Sequence, residues 1–120
     1  WGGAVCVQGD LVIVSGNDCR IKVFDLETVM FQLAKTCLLE GHTKPVLSLV
    51  LLGVTTLFSG SIDCTIRMWD LGTMSCRGVL AGHEGPVTCL GIADGDLDGD
   101  FKVLVSGSFD TTVRVWEDDF

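Results

Sequence analysis

The chain has 120 residues, enough for one domain-sized core, with 48% apolar residues, yet its richest apolar run, "VLSLVLLGV", is nine residues broken by Ser48 and Gly53. A membrane-spanning helix needs roughly 20, so a membrane span is not expected. Sixteen acidic against eight basic side chains give a net charge of −8, which repels a phosphate backbone and disfavours nucleic acid as a direct ligand.

In chain order, the opening "WGGAVCVQGD" has no initiator Met, no basic n-region and no apolar h-region, which places any targeting segment outside these residues. Beyond it the hydrophobic period is two. Leu11-Val12-Ile13-Val14-Ser15 is followed, after the turn-forming Asn17-Asp18, by a run in which Arg20, Lys22 and Phe24 face one way and Ile21 and Val23 the other. That is a strand, a turn and a strand. Carried onward, the pattern predicts strands near 3–7, 11–15, 20–24, 35–39, 46–51, 55–59, 65–69, 76–80, 86–92, 102–106 and 112–116. No segment carries a convincing helical stripe; the nearest, from Leu26 to Lys35, reads as an enlarged loop.

One phrase occurs three times: "SGNDCRIKVFD" from Ser15, "SGSIDCTIRMWD" from Ser59 and "SGSFDTTVRVWE" from Ser106, at offsets of 44 and 47 residues. A second, "GHTKPV" at Gly41 and "GHEGPV" at Gly82, recurs at an offset of 41. Periods of this length mark stacked supersecondary units. In the second unit Gly41-His42 precedes Trp69-Asp70, with Ser59 ten and Asp63 six residues before the tryptophan; in the third, His83, Ser106, Asp110 and Trp116 repeat the spacing. This pattern resembles the WD-repeat family of β-propellers over essentially the whole chain. Unit one departs from it, ending in Phe24-Asp25 and counting one residue fewer from Ser15 to Phe24, and unit three ends in Trp116-Glu117.

The resemblance implies an all-β fold, a partial propeller of about three four-stranded antiparallel blades near residues 1–40, 41–81 and 82–120. Closed propellers have about 4 to 8 blades. The chain is therefore expected not to close on itself and to be a fragment of a longer WD-repeat chain that supplies the remaining blades. Its outer blades should then expose apolar side chains such as Val12, Val14, Leu104 and Val105 or their neighbours, with the Val113 to Trp116 strand as an edge.

Serine, histidine and aspartate are also the components of a hydrolase triad. A triad needs one exposed nucleophile and an oxyanion hole, whereas this set occurs twice and each time comes with a tryptophan. By the resemblance, His42, Ser59, Asp63 and Trp69, and again His83, Ser106, Asp110 and Trp116, form structural hydrogen-bond tetrads. The indole N–H donates to the serine, whose own proton passes to one histidine nitrogen while the other donates to the aspartate or nearby backbone. Ser15, Asp18 and Phe24 would make a partial tetrad, since phenylalanine has no N–H to satisfy. No enzymatic activity and no cofactor are expected.

"DGDLDGD" interrupts unit three, and Asp94, Asp96, Asp98 and Asp100 suggest a calcium loop. Position twelve of an EF-hand would be Val105 rather than glutamate, so a solvated hairpin loop is the simpler reading, with a calcium-regulated propeller module as the alternative. Six cysteines lack C-x-x-C spacing, and four sit among apolar or β-branched neighbours; they read as reduced thiols in the cytoplasm or nucleus. The resemblance implies a scaffold or adaptor that binds other proteins or peptides on the loop face, through Asn17, Lys44, Leu47, Ile62, Glu84, Thr88 and Phe109.

Overall fold

The computed structural model describes residues 3–25, 35–94 and 102–117. They form eleven strands: β1 (Val5–Gln8), β2 (Leu11–Ser15), β3 (Ile21–Asp25), β4 (Lys35–Leu39), β5 (Val46–Leu52), β6 (Thr56–Ser61), β7 (Ile66–Asp70), β8 (Ser75–Leu80), β9 (Val87–Asp94), β10 (Lys102–Ser108) and β11 (Val113–Glu117). No helix occurs among the described residues. Each strand overlaps one read from the period-two pattern. The stretch from Leu26 to Ala34, expected as a loop, lies outside the described residues.

The strands pair antiparallel in chain order into three open sheets, β1-β2-β3-β4, β5-β6-β7-β8 and β9-β10-β11. Short turns make this order the natural one: Gly9 and Gly53, at φ 57° and 65°, take the left-handed conformation that glycine adopts without steric cost. Within the second sheet, Leu57 pairs with Trp69 and Ser59 with Arg67. Side chains alternate across a strand, so Leu57, Ser59 and Trp69 share one face while Phe58, Gly60 and Ile66 share the other.

Both faces of the middle sheet are covered. One contributes Leu57 and Trp69 to a core with Ile13, Ile21, Val23 and Leu39 of the first sheet. The other places Phe58 and Ile66 against Val87 and Leu104 of the third. A strand buried on both sides reads as a continuous apolar or small-residue run, and every residue of β6 is buried. This stacking gives the middle sheet two cores, while the first and third sheets each contribute to one.

The outer faces differ in detail from the sequence-based expectation. Leu104 is fully buried, because its pairing with Trp116 puts it on the face toward the second sheet, and Val12, Val14 and Val105 are half-buried. The exposed valines are their neighbours Val5 and Val7 on β1 and Val113 and Val115 on β11.

Candidate functional site

The second and third sheets each hold a polar network inside an apolar layer. Trp69 donates its indole N–H to Ser59 Oγ at 2.8 Å. His42 Nε2 lies 2.7 Å from the same oxygen, and His42 Nδ1 lies 2.8 Å from Asp63 Oδ2. An ionised carboxylate only accepts, so Nδ1 carries the proton and Nε2 accepts from the Ser59 hydroxyl. Every donor is thereby matched to one acceptor, which is why Ser59 can be fully buried and His42 nearly so. The third sheet repeats the chain of contacts: Trp116 to Ser106 at 2.9 Å, His83 Nε2 to Ser106 at 2.7 Å and His83 Nδ1 to Asp110 at 2.9 Å.

The aspartates anchor the turns as well as the histidines. Asp63 Oδ1 accepts from the backbone N–H and hydroxyl of Thr65, while Oδ2 accepts from the Thr43 N–H. Asp110 does the same with Thr112 and the Glu84 N–H. These side-chain turns hold the following residue left-handed, at φ 74° for Cys64 and 69° for Thr111.

Electrostatics follow from this wiring. Desolvation pushes the His42 pKa below its ordinary value, and although Asp63 opposes the shift, Arg67 nearby adds to it. His42 is thus neutral at pH 7. Burial would raise the Asp63 pKa, but the hydrogen bonds from Thr65 and His42 together outweigh it and hold the carboxyl below its usual range. For Asp110 the Thr112 hydroxyl is the largest influence, with His83 and two backbone amides adding to it, and the carboxyl is held well below its usual range. Ser59 and Ser106 are each occupied by an indole and an imidazole and are fully buried. Neither hydroxyl reaches the surface.

The family model described as "WD domain, G-beta repeat" matches residues 32–70 and 74–117. The chain belongs to the WD40-repeat family. Among curated relatives, the DENN domain and WD repeat-containing protein SCD1 of Arabidopsis thaliana is 34% identical over 109 residues, covering 91% of this chain and 8% of that protein. WD repeat-containing protein pop1 of Schizosaccharomyces pombe is 32% identical over 126 residues, covering 89% and 16%. Mitochondrial division protein 1 of Aspergillus clavatus is 37% identical over 62 residues, covering 52% and 8%. The chain spans only 8% to 16% of the length of these relatives.

The first WD40-like unit is wired differently from the partial tetrad read in the sequence. Val12 pairs with Phe24 as Leu57 pairs with Trp69, and Val14 pairs with Lys22 as Ser59 pairs with Arg67. Val14 therefore stands where the other repeats have serine, and Ser15 is equivalent to Gly60, on the opposite face. No residue is missing. Ser15 accepts from the Ala4 N–H at 3.0 Å and donates to the Val46 carbonyl of the second sheet at 3.1 Å. It is an inter-sheet tie rather than a partner of Phe24. Asp18 keeps its turn role by accepting from the Arg20 N–H, and its other oxygen faces Lys22 at 3.9 Å. The positions that enclose His42 in the second repeat, here Val14, Asp18 and Lys22, line an open cavity of about 330 Å³.

Of the residues expected on the loop face, Asn17, Lys44 and Glu84 are exposed, and Phe109 is 73% exposed. Ile62, its equivalent in the second repeat, is half-buried. Leu47 and Thr88 sit at equivalent bulges where β5 and β9 meet their partners, both half-buried, and the Thr88 hydroxyl donates to the Gly107 carbonyl. Asp96, Asp98 and Asp100 lie outside the described residues, and Asp94 ends β9. Among the described residues no group of three or more His, Cys, Asp or Glu side chains could hold a metal ion.

Sequence reasoning missed Thr65 and Thr112, although a threonine two residues after both Asp63 and Asp110 was a visible signal. It also missed the arginines two residues before each tryptophan. Arg67 lies so close over Gly41 that a Cβ there would meet its Nη1 at 2.7 Å, and Arg114 stands 5.9 Å from the Trp116 ring centroid. Each covers one end of its network.

Proposed function

We propose that this chain is a rigid, non-enzymatic platform on which other proteins or peptides dock through the loop face. The observation that carries the reading is the commitment of both Ser-His-Asp sets to Trp-capped, buried networks. Such groups hold loops in place and leave recognition to the side chains on those loops. The relatives named for WD repeats support the same reading. Exposed Lys44, Glu84 and Phe109 are the side chains assigned to docking, with Asn17, Leu47, Ile62 and Thr88 around them. Six free thiols are in keeping with a reducing compartment, cytoplasm or nucleus.

The test is affinity capture with quantitative mass spectrometry on the chain, on Phe109→Ala and on Lys44→Glu, with Val79→Ala on an outer strand as control. Loss of the same captured proteins from both loop-face variants, with the control unchanged, supports the proposal. Capture undiminished in both would move docking to another surface. Ester or peptide hydrolysis abolished by Ser59→Ala would overturn the non-enzymatic reading.

A further inference from the structure

The up-and-down order of the strands puts the β1–β2, β5–β6 and β7–β8 turns and the close of β3 at the end of the sheets opposite the loop face. At that end the first and second sheets part around a cavity of about 200 Å³, lined by Leu11, Val23, Asp25 and Cys37 of one sheet and Leu71 and Met74 of the other. It lies between two four-stranded sheets, apart from the outer faces of the first and third. Val23 and Leu71 are buried core residues, and Leu11, Cys37 and Met74 are half-buried around them. Side chains alternate along a strand, so Asp25 shares the face on which Val23 looks toward the second sheet. Asp70, next to Leu71 in the chain, accepts from the Gly72 N–H at 2.7 Å, and Gly72 is also in the cavity wall.

The two ends of the sheets differ in charge. At the cavity end the described turns and strand ends carry Asp10, Asp25, Asp70, Asp94 and Glu117 against Lys35 and Lys102, and each lysine pairs in register with one of those aspartates, Asp25 or Asp94. At the loop-face end carboxylates and cations are equal in number among the described residues. A drug-sized ligand takes about 300 to 1,000 Å³, so the cavity suits a single apolar side chain instead. The carboxylates beside it are complementary to cations next to that side chain. Residues 26–34, which join β3 to β4, carry Glu27 and no cation, and a second copy of the chain brings a net charge of −8. Neither supplies the missing sign. We propose that this end of the first two sheets is a second docking site, which takes a peptide of another protein by one large apolar side chain flanked by lysine or arginine. The apolar side chain enters between the two sheets, where the unbranched Met74 adapts to its shape, and the flanking cations face Asp25 and Asp70.

The experiment is an NMR titration of the chain, read at the Gly72 amide and the Met74 methyl, with three synthetic peptides: Gly-Lys-Leu-Lys-Gly, Gly-Glu-Leu-Glu-Gly and Gly-Lys-Ala-Lys-Gly. The expected result is a saturable shift of both resonances with the first peptide and none with the other two. Asp25→Asn should weaken binding about twofold to fivefold, the range of a solvent-exposed ion pair. Cys37→Leu, which fills the cavity, should abolish it. Circular dichroism checks the fold, and Met74→Lys, read at the Gly72 amide, replaces Cys37→Leu if that variant misfolds. Equal shifts from the glutamate peptide would overturn the charge argument, and equal shifts from the alanine peptide would overturn the cavity as the anchor. Affinity unchanged in both variants would place binding elsewhere and overturn the proposal. So would the absence of a shift with every peptide; a Gly72 amide then moved by Phe31→Ser would assign the cavity to residues 26–34 instead.

Discussion

Trp69 and Ser59 are joined across adjacent strands by a 2.8 Å hydrogen bond from indole to hydroxyl, and that hydroxyl is also the one His42 Nε2 meets at 2.7 Å. One oxygen thus satisfies two buried rings. Ser59→Ala leaves the indole N–H and the imidazole Nε2 both unpaired, at about 1–3 kcal/mol each, whereas Trp69→Phe removes a single donor and some packing, at about 1–3 kcal/mol in total. The double variant should cost less than the sum of the two, since the groups share one network. Urea denaturation at fixed protein concentration measures all three; additive losses would show that the network is not cooperative.

Acid should weaken the fold in two stages. His42 has its folded pKa lowered from 6.5, so the unfolded state takes up the proton first. The associated stability is complete above pH 6.5 and is lost as pH falls from there through the lowered folded value. Asp63 and Asp110 are held below 3.8 in the fold, so their contribution is complete above that pH and is lost as pH falls through their folded values. Denaturation midpoints at successive pH values should show both stages. The His42 ring resonances in NMR should titrate with a midpoint below 6.5; a midpoint at or above that value would contradict the desolvated assignment.

Most of the fold was legible because its strands carry a period-two apolar pattern and its turns carry Gly, Asn and Asp at regular intervals. The networks in the second and third sheets were legible because four residue types recur at fixed spacing. Ser15 was misplaced for a physical reason. Matching "SG" to "SG" aligns letters, whereas the sheet aligns registers, and ten residues before Phe24 stands Val14. Leu104 was assigned to the wrong face by the same kind of one-residue phase error, since a step of one along a strand reverses the side chain. The arginines over Gly41 and Gly82 belong to contacts between distant segments, which spacing alone does not encode.

Ser15 gives a prediction of its own. Its hydroxyl bridges the Ala4 N–H and the Val46 carbonyl, tying the first sheet to the second. Ser15→Ala should cost about 1–3 kcal/mol by orphaning the buried partners. The reverse change in the next sheet is worse tolerated. A Cβ on Gly60 would lie 2.7 Å from both Ser48 Oγ and Val87 Cγ1, so Gly60→Ser must push the third sheet away before any bond can form. Denaturation midpoints should fall further for Gly60→Ser than for Ser15→Ala, and the opposite order would show that sheet separation adjusts freely.

Thr111 occupies the left-handed position of the turn after Asp110, at φ 69°. A β-branched residue is a genuine outlier there, and the equivalent positions in the other units are held by Cys19 and Cys64, at φ 67° and 74°, which carry no branch. The conformation is imposed by Asp110, whose Oδ1 accepts from the Thr112 N–H across the residue. Because Thr111 is exposed, replacing it changes the backbone preference without opening a cavity. Asparagine tolerates this region well and keeps a β-carbon, so it avoids the extra unfolded-state freedom that glycine would bring. Thr111→Asn should therefore stabilise the chain by about 1 kcal/mol, the lower end of the strain stored in such conformations. Thr112→Ala, one residue on, should do the opposite, since it removes the hydroxyl donor to Asp110 and lets the carboxyl pKa rise toward its ordinary value. Thermal unfolding of the two variants and an NMR titration of Asp110 are the measurements; stabilisation absent in Thr111→Asn would mean that the turn relaxes in solution to a conformation threonine accepts.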